Sequence, residues 1–267
     1  FDTYGKTANQ IAAGKALAAG SNTGVLYVAT GNLVATNVAV VPGALGQMAG
    51  DIHASIRGAA IEDSRIIRNA VLGRLDQAGE QSAVWGSVFG GYGSIAGDGN
   101  ATALHHDSAG LIAGVDMPVS AGIRAGIAAA YSTDRSATSG HLSTAGGSNG
   151  HIIGYAGWTG GAFDLKLGGD YGWGTVHTAR QVTALAQSLA GRQDQTMGQV
   201  FADAGYRIAS EQWMFEPYAG IAHVEVTSGS FAEQGGTAAL SGGSATDGLT
   251  YGTMGVRAAL AGLSLED

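Results

Sequence analysis

GDIHASIRGAAIEDSRIIRNAV, residues Gly50 to Val71, is the stretch on which the fold turns. After Gly50 it holds one glycine, Gly58, in a chain where glycine makes up 46 of 267 residues. It lacks strand alternation and is rich in helix formers. With Asp51 as N-cap and Gly79 as stop, it predicts a helix over residues 46–79. At about 100° per residue, Asp51, Arg57, Glu62, Asp63, Arg65, Arg68 and Arg74 point in nearly every direction, and so do the isoleucines. A helix on the surface of a globular domain shows one apolar stripe; a helix of mixed polarity all round suits a polar enclosure. About 30 helical residues extend roughly 45 Å, enough to cross a membrane from end to end.

From Ala83 onward the chain alternates with a period of two. In GAFDLKLGGDYGW, Phe163, Leu165, Leu167, Tyr171 and Trp173 share one face, and Asp164, Lys166, Gly168, Asp170 and Gly172 the other. Leu111, Ala113, Val115 and Met117 likewise oppose Ser108, Gly110, Gly114 and Asp116, and Ile123, Ile127 and Tyr131 oppose Arg124, Gly126 and Ser132. The pattern returns with Val200, Ala204 and Tyr206 against Gln199, Asp203 and Arg207, and with Met254 and Val256 against Thr253 and Arg257. Less regular segments at 83–95, 150–158 and 213–226 bring the expectation to eight strands.

The predicted connections alternate between short breaks near Ser120, Gly160, Ser210 and Ala261 and long Gly/Ser/Thr/Ala-rich loops at 96–107, 135–148, 179–195 and 229–247. Short turns at one end and long loops at the other describe an up-and-down antiparallel sheet of the outer-membrane barrel type. A soluble β-rich adhesin or carbohydrate-binding module is the alternative, and it would place the apolar faces inside. Here the polar faces are crowded with glycine and alanine, as a lumen that must leave room for something requires. Tyr131, Tyr171, Trp173, Tyr206 and Trp213 lie toward segment ends, where interfacial aromatic girdles belong. An eight-stranded barrel is filled by its own side chains, so housing a helix requires more strands.

Composition removes other classes. Apolar residues are 45 % with no triplet repeat, which excludes collagen and disorder. Charged residues are only 13 %, a poor surface for an ordinary cytosolic protein. No apolar run approaches the roughly 20 residues of a spanning helix. The net charge of −8 and the absence of a basic patch argue against nucleic acid. With no cysteine, neither disulfides nor thiolate metal sites form. Phe1 opens no signal peptide, so the chain reads as an interior piece or a processed one.

Gly50-Asp51-Ile52-His53-Ala54-Ser55, then Ala60-Ile61-Glu62-Asp63-Ser64-Arg65 and Arg68, resemble the linker helix of the autotransporter (type V secretion) translocator domain. Val84-Trp85-Gly86-Ser87-Val88-Phe89-Gly90-Gly91-Tyr92-Gly93 resembles that family's first barrel strand. Leu111–Val119 and Arg124–Ser132 resemble the second and third, and Phe215–Gly220 a later one. Residues 1–45 are similar to the end of a β-helical passenger, in keeping with a reading of their short apolar runs as β rungs. The resemblance implies an all-β membrane barrel of twelve strands, about eight of them present here, with the helix threaded through its lumen. It divides the chain into a passenger end (1–45), a linker helix (46–79) and an incomplete barrel (80–267). The implied function is to anchor the protein in the outer membrane of a Gram-negative bacterium and deliver the N-terminal passenger to the cell surface. The implied partners are outer-membrane lipid, the passenger itself and the barrel-assembly machinery, with the protein a monomer. Because the chain ends at Asp267 without the family's closing strands and terminal aromatic residue, it is expected to be a fragment.

The expected site is the helix and the wall around it. Asp51, His53, Arg57, Glu62, Asp63, Arg65 and Arg68 are the expected polar contacts of the helix. Asp116, Arg124, Asp164, Lys166, Asp170, Asp203, Arg207, Glu216 and Arg257 are the expected wall, where an acidic residue could pair with Arg65 or Arg68. No enzyme activity, cofactor or metal is expected. Gly146–Gly150 match G-x-S-x-G but sit in an expected loop with no helix after them. His105-His106-Asp107 are consecutive and seldom converge on one ion, and Gly90–Gly97 lack the βαβ context of a dinucleotide loop. The resemblance also implies that Asn69 could cyclise onto its own carbonyl and release the passenger. The motif marking that cleavage in the family's best-known branch is absent, which favours Asn69 as an ordinary polar helix residue and leaves self-cleavage there as the alternative.

Overall fold

A computed structural model describes residues 1–19, 24, 27–28, 31, 34–35, 37–77, 79, 81–210 and 212–260. Eight long strands follow one another: β1 (Ala83–Ile95), β2 (Leu104–Ser120), β3 (Ile123–Thr138), β4 (Ser143–Gly160), β5 (Phe163–Val182), β6 (Gln187–Tyr206), β7 (Trp213–Ser228) and β8 (Ala245–Leu260). Each pairs antiparallel with its neighbour in sequence, along an open path from β1 to β8. Before them come helices α1 (Ala8–Ala19), α2 (Val41–Ala49) and α3 (Ile52–Gln77).

The period of two separates the faces as membrane surroundings demand. Ile127, Val200 and Val256 are 65 %, 62 % and 61 % exposed on the outer face, while Lys166 and Glu216 are 1 % and 2 % exposed on the inner face. A soluble sandwich would show the reverse. Outside, Phe163 packs edge-on against Tyr206 with ring centroids 4.9 Å apart, and Trp213 lies 5.0 Å from Phe215, all near the short turns. Trp173 and Tyr131 occupy one register row farther along the strands. The ten steps from Phe163 to Trp173, at about 3.4 Å each and a tilt of about 40°, rise on the order of 26 Å, close to the apolar band of outer-membrane barrels.

Helix α3 lies inside the curve of the sheet, with contacts to all eight strands. Its isoleucines point in several directions because they meet several walls. Ile52 and Ile56 pack with Leu104 and Val176, Ile61 with Met197 and Val224, and Ile67 and Val71 with Ile112, Ile153 and Phe201. Ala54, Arg65, Asn69 and Asp76 are exposed along one face, on the open side of the sheet.

Three expectations are corrected. Where residues 1–45 were read as β rungs, the described residues are helical. Ala8–Ala19 is alanine-rich, and Thr7-Ala8-Asn9-Gln10 forms a capping turn: the Gln10 amide donates to Thr7 Oγ1 at 3.2 Å and Gln10 Oε1 accepts from the Lys6 amide at 2.8 Å. Part of the apolar stretch from Gly24 to Val41 lies outside the described residues, as do Ala261 to Asp267. The single helix expected over 46–79 is broken at Gly50, whose φ of 70° is left-handed, leaving α2 and α3 as separate elements. The loops expected at 135–148 and 179–195 shrink to turns at 139–142 and 183–186, closed by Leu142 and Ala186 at φ 51° and 52°. Small residues on both faces of 143–148, and polar residues on both faces of 187–195, had hidden the strand alternation there, and Gly146–Gly150 sits inside β4 rather than in a loop.

Candidate functional site

The site is the interface between α3 and the inner wall, and its two ends are built differently. At the end with the longer loops, residues 229–244 fold inward between β7 and β8, with Phe231–Ala232 pairing antiparallel to Ser241–Gly242. This fold carries Glu233 to the start of α3. Arg180 at the end of β5 grips Glu233 with two parallel bonds, Nε to Oε1 at 2.7 Å and Nη2 to Oε2 at 2.6 Å. His53 Nε2 lies 2.8 Å from Glu233 Oε1, and the Leu240 amide donates to Oε2 at 2.9 Å. The His53 ring stacks on Phe231 at 3.8 Å and 12°. The remaining donors of Arg180 reach the carbonyls of Gln47 and Ala238. The Arg180 and Glu233 side chains are 0 % and 1 % exposed, so the pair is dry and fully bonded.

Burial by itself raises the Glu233 carboxyl, but the bonds from Arg180, His53 and the Leu240 amide outweigh it and hold it at about 2. Gly50 is required here: a Cβ would come within 2.4 Å of Leu240 Cδ1, in addition to the strain of its positive φ. Asp51 does not turn back to cap α3. Its Oδ2 accepts from the Thr102 amide at 3.1 Å and lies 3.0 Å from His141 Nδ1, tying the helix to two further loops. Burial opposes ionisation of Asp51, yet those bonds with His141 and Thr102 hold its carboxyl below the usual range.

Midway along the helix, Arg68 Nη1 donates to Tyr251 OH at 2.7 Å and to Gln199 Oε1 at 3.3 Å. Gln199 Nε2 in turn donates to the Ser64 carbonyl and to Asp170 Oδ2, both at 3.1 Å. His106 sits between Glu62 at 3.2 Å and Asp63 at 3.1 Å. Arg57 Nε reaches Asp247 at 2.5 Å. Arg65 meets only Glu62 of its own helix, at 3.2 Å. The expected pairing of Arg65 or Arg68 with an acidic wall residue is therefore corrected: among the described residues, Arg65 finds no wall carboxylate and Arg68 finds neutral acceptors.

At the short-turn end, most of the carboxylates belong to the strands. Arg74 grips Asp116 through Nε at 2.7 Å and Nη2 at 2.9 Å. Arg124 shares the same carboxylate and also donates to the Gln81 carbonyl at 2.8 Å, where the chain leaves the helix for β1. Tyr155 OH donates to Asp116 at 3.2 Å and accepts from Trp85 Nε1 at 2.6 Å. Beside them Lys166 pairs with Asp76 of the helix and with Asp164 at 3.4 Å. Arg257 donates to Glu216 at 2.6 Å and to Asp203 at 2.9 Å, with Arg207 on the other side of Glu216 at 3.3 Å.

Eight of the nine expected wall residues lie on the inner face of strands, and Arg207 lies in the turn after β6, reaching Glu216 from there. The reading from sequence missed Glu233, Asp76, Tyr155, Gln199 and Tyr251. The one available signal was Glu233 itself, the single charge in the otherwise neutral run from Thr227 to Thr246. His105 and Asp107 point outward while His106 points inward, so the three cannot converge on an ion. Among the described residues no group of His, Cys, Asp or Glu is placed to hold a metal. Asn69 is exposed, and among the described residues no side-chain hydrogen bond involves it. The arrangement binds a helix along its whole length.

Comparison with known proteins gives the same picture. The autotransporter β-domain family model matches residues 84–262. Two proteins of Serratia marcescens, each named extracellular serine protease, are 32 % and 30 % identical over 224 residues, 79 % of this chain and 21 % of theirs. The chain therefore spans about a fifth of the length of these relatives. Among solved structures, the translocator domain of autotransporter NalP from Neisseria meningitidis superposes with a TM-score of 0.66 at 18 % identity, over 76 % of this chain and 70 % of that one.

Proposed function

The chain belongs to the autotransporter β-domain family and is a translocator domain of the Gram-negative outer membrane, and from that premise we propose that α3 is the trailing linker of its cargo, retained in the pore as plug and anchor. Residues 1–45 are then the end of the passenger, 46–79 the linker and 80–267 the barrel segment, with lipid, passenger and assembly machinery as partners and no catalysis in this region. The observation that carries the reading is the direction of α3. It starts among the longer loops, on the extracellular side of such barrels, ends among the short turns, and meets every strand between.

Deletion of 52–77 from the full-length protein tests the plug in planar bilayers. The reading expects a large rise in conductance over the intact protein, with heat-modifiable gel migration reporting that the barrel has formed. Unchanged conductance from a formed barrel overturns it. Self-release at Asn69 is the second reading, favoured by that side chain's exposure on the open side of the sheet. An Asn69→Asp protein that still sheds its N-terminal part at the native rate removes it.

A further inference from the structure

Six cations lie in the strands. Arg124, Lys166, Arg180 and Arg257 face inward onto carboxylates, whereas Arg135 and Arg192 face outward, exposed, and make no ion pair among the described residues. The two are not scattered. Arg135 pairs in register with Gly146, Gly146 with His177, and His177 with Arg192, so one row crosses β3 to β6 on the outer face. Neighbouring strands are about 4.8 Å apart, which puts Arg135 and His177 roughly 10 Å from each other across a position with no side chain. A Cβ at Gly146 would meet nothing nearer than the Asp134 carbonyl at 3.5 Å, so the gap is open.

The height of the row is set by the aromatic residues. Arg135 and His177 each lie four residues beyond Tyr131 and Trp173, toward the longer loops, and those two aromatics share a row of their own. Four residues on a tilted strand rise on the order of 10 Å, from the edge of the apolar band into the headgroup layer. The nearest carboxylates on this face are Asp107, opposite Arg135, and Asp194, which accepts from Thr175 at 3.1 Å.

We propose that Arg135, His177 and Arg192, with the gap at Gly146, form a docking row for the phosphorylated headgroup of an anionic lipid in the outer leaflet. In a chain of net charge −8, this is a local positive patch where lipid phosphates sit, and two guanidiniums flanking an open position suit a headgroup with more than one phosphate. The inference rests on the outer-membrane assignment and adds a lipid class to it.

The test uses the protein in phosphatidylcholine vesicles doped with a bis-phosphorylated glycolipid. Flotation scores insertion, and native mass spectrometry and lipid titration score binding. Each of R135Q and R192Q is expected to weaken binding about fivefold and the pair about 25-fold, by the usual contribution of a basic residue at an anionic surface. R135K/R192K is expected to stay within a few-fold of the native protein, because a point charge suffices. Insertion with unchanged affinity in R135Q/R192Q overturns the row alone, as does equal displacement by inorganic phosphate, which would mark an ion site rather than a lipid one. Failure to insert overturns the membrane assignment with it.

Discussion

The two ends of α3 are held by the same chemistry on different mountings. At the mouth, one loop carboxylate, Glu233, serves Arg180 and His53 in a dry pocket. At the base, ion pairs of both polarities join helix to strands next to water, with Arg74, Asp76 and Arg257 16 %, 32 % and 27 % exposed. Rigid strands fix the base wherever the helix goes, whereas the mouth exists only while a sixteen-residue loop, 229–244, stays folded inward. Removing one partner costs most where the other is left buried, so the more movable end is also the one that loses most when a partner is lost.

Glu233→Gln should have the largest effect. It leaves Arg180 buried without its counter-charge and should cost about 3–5 kcal/mol, read as a lower urea midpoint in vesicles and as new protease cleavage within 229–244. Acid should do the same reversibly. The Glu233 carboxyl is held at about 2, below its ordinary value of 4.5. Its contribution, on the order of 3 kcal/mol, is therefore complete above about pH 4.5 and lost as pH falls toward 2. The chain has no cysteine, so a label at Ser241→Cys is unique and should gain mobility over that window. A label that stays immobile at pH 2 would break the contrast between the ends.

Asp116→Asn should cost less, about 2 kcal/mol, because Arg74 keeps partial access to water and the amide still accepts one bond. It should leave the mouth loop resistant to protease. Phe231→Ala removes the stack on His53 and should cost about 1 kcal/mol, again at the mouth alone. Arg65→Gln, in an exposed pair with Glu62, should change stability by less than about 0.5 kcal/mol. A larger loss would mean that Arg65 has a partner beyond its own helix.

The strands were legible because membrane and lumen impose opposite chemistry on alternate residues, and Phe163 to Trp173 records both. Eight of the nine wall residues followed from the same parity, and Arg207 sits just past the end of β6. The contacts between helix and wall were not legible: which carboxylate meets Arg74 depends on how the helix is rotated and how far it is inserted, and neither leaves a period in sequence. Glu233 was obscured by its glycine- and alanine-rich surroundings, the strands through 135–148 by small residues on both faces, and those through 179–195 by polar ones on both. The helix at Ala8–Ala19 was legible but missed, since its capping turn from Thr7 to Gln10 is a local signal.

His53 and Glu233 are 180 residues apart, and between them lie all of β1 to β7. Each sheet pairing needs only the next hairpin, so the sheet can grow by short loop closures, while the mouth contact must wait for a far longer one. In time rather than space, the clasp is a completion step: it closes only after seven strands are in register around the helix, and a barrel that stalls partway leaves its linker held at the base alone.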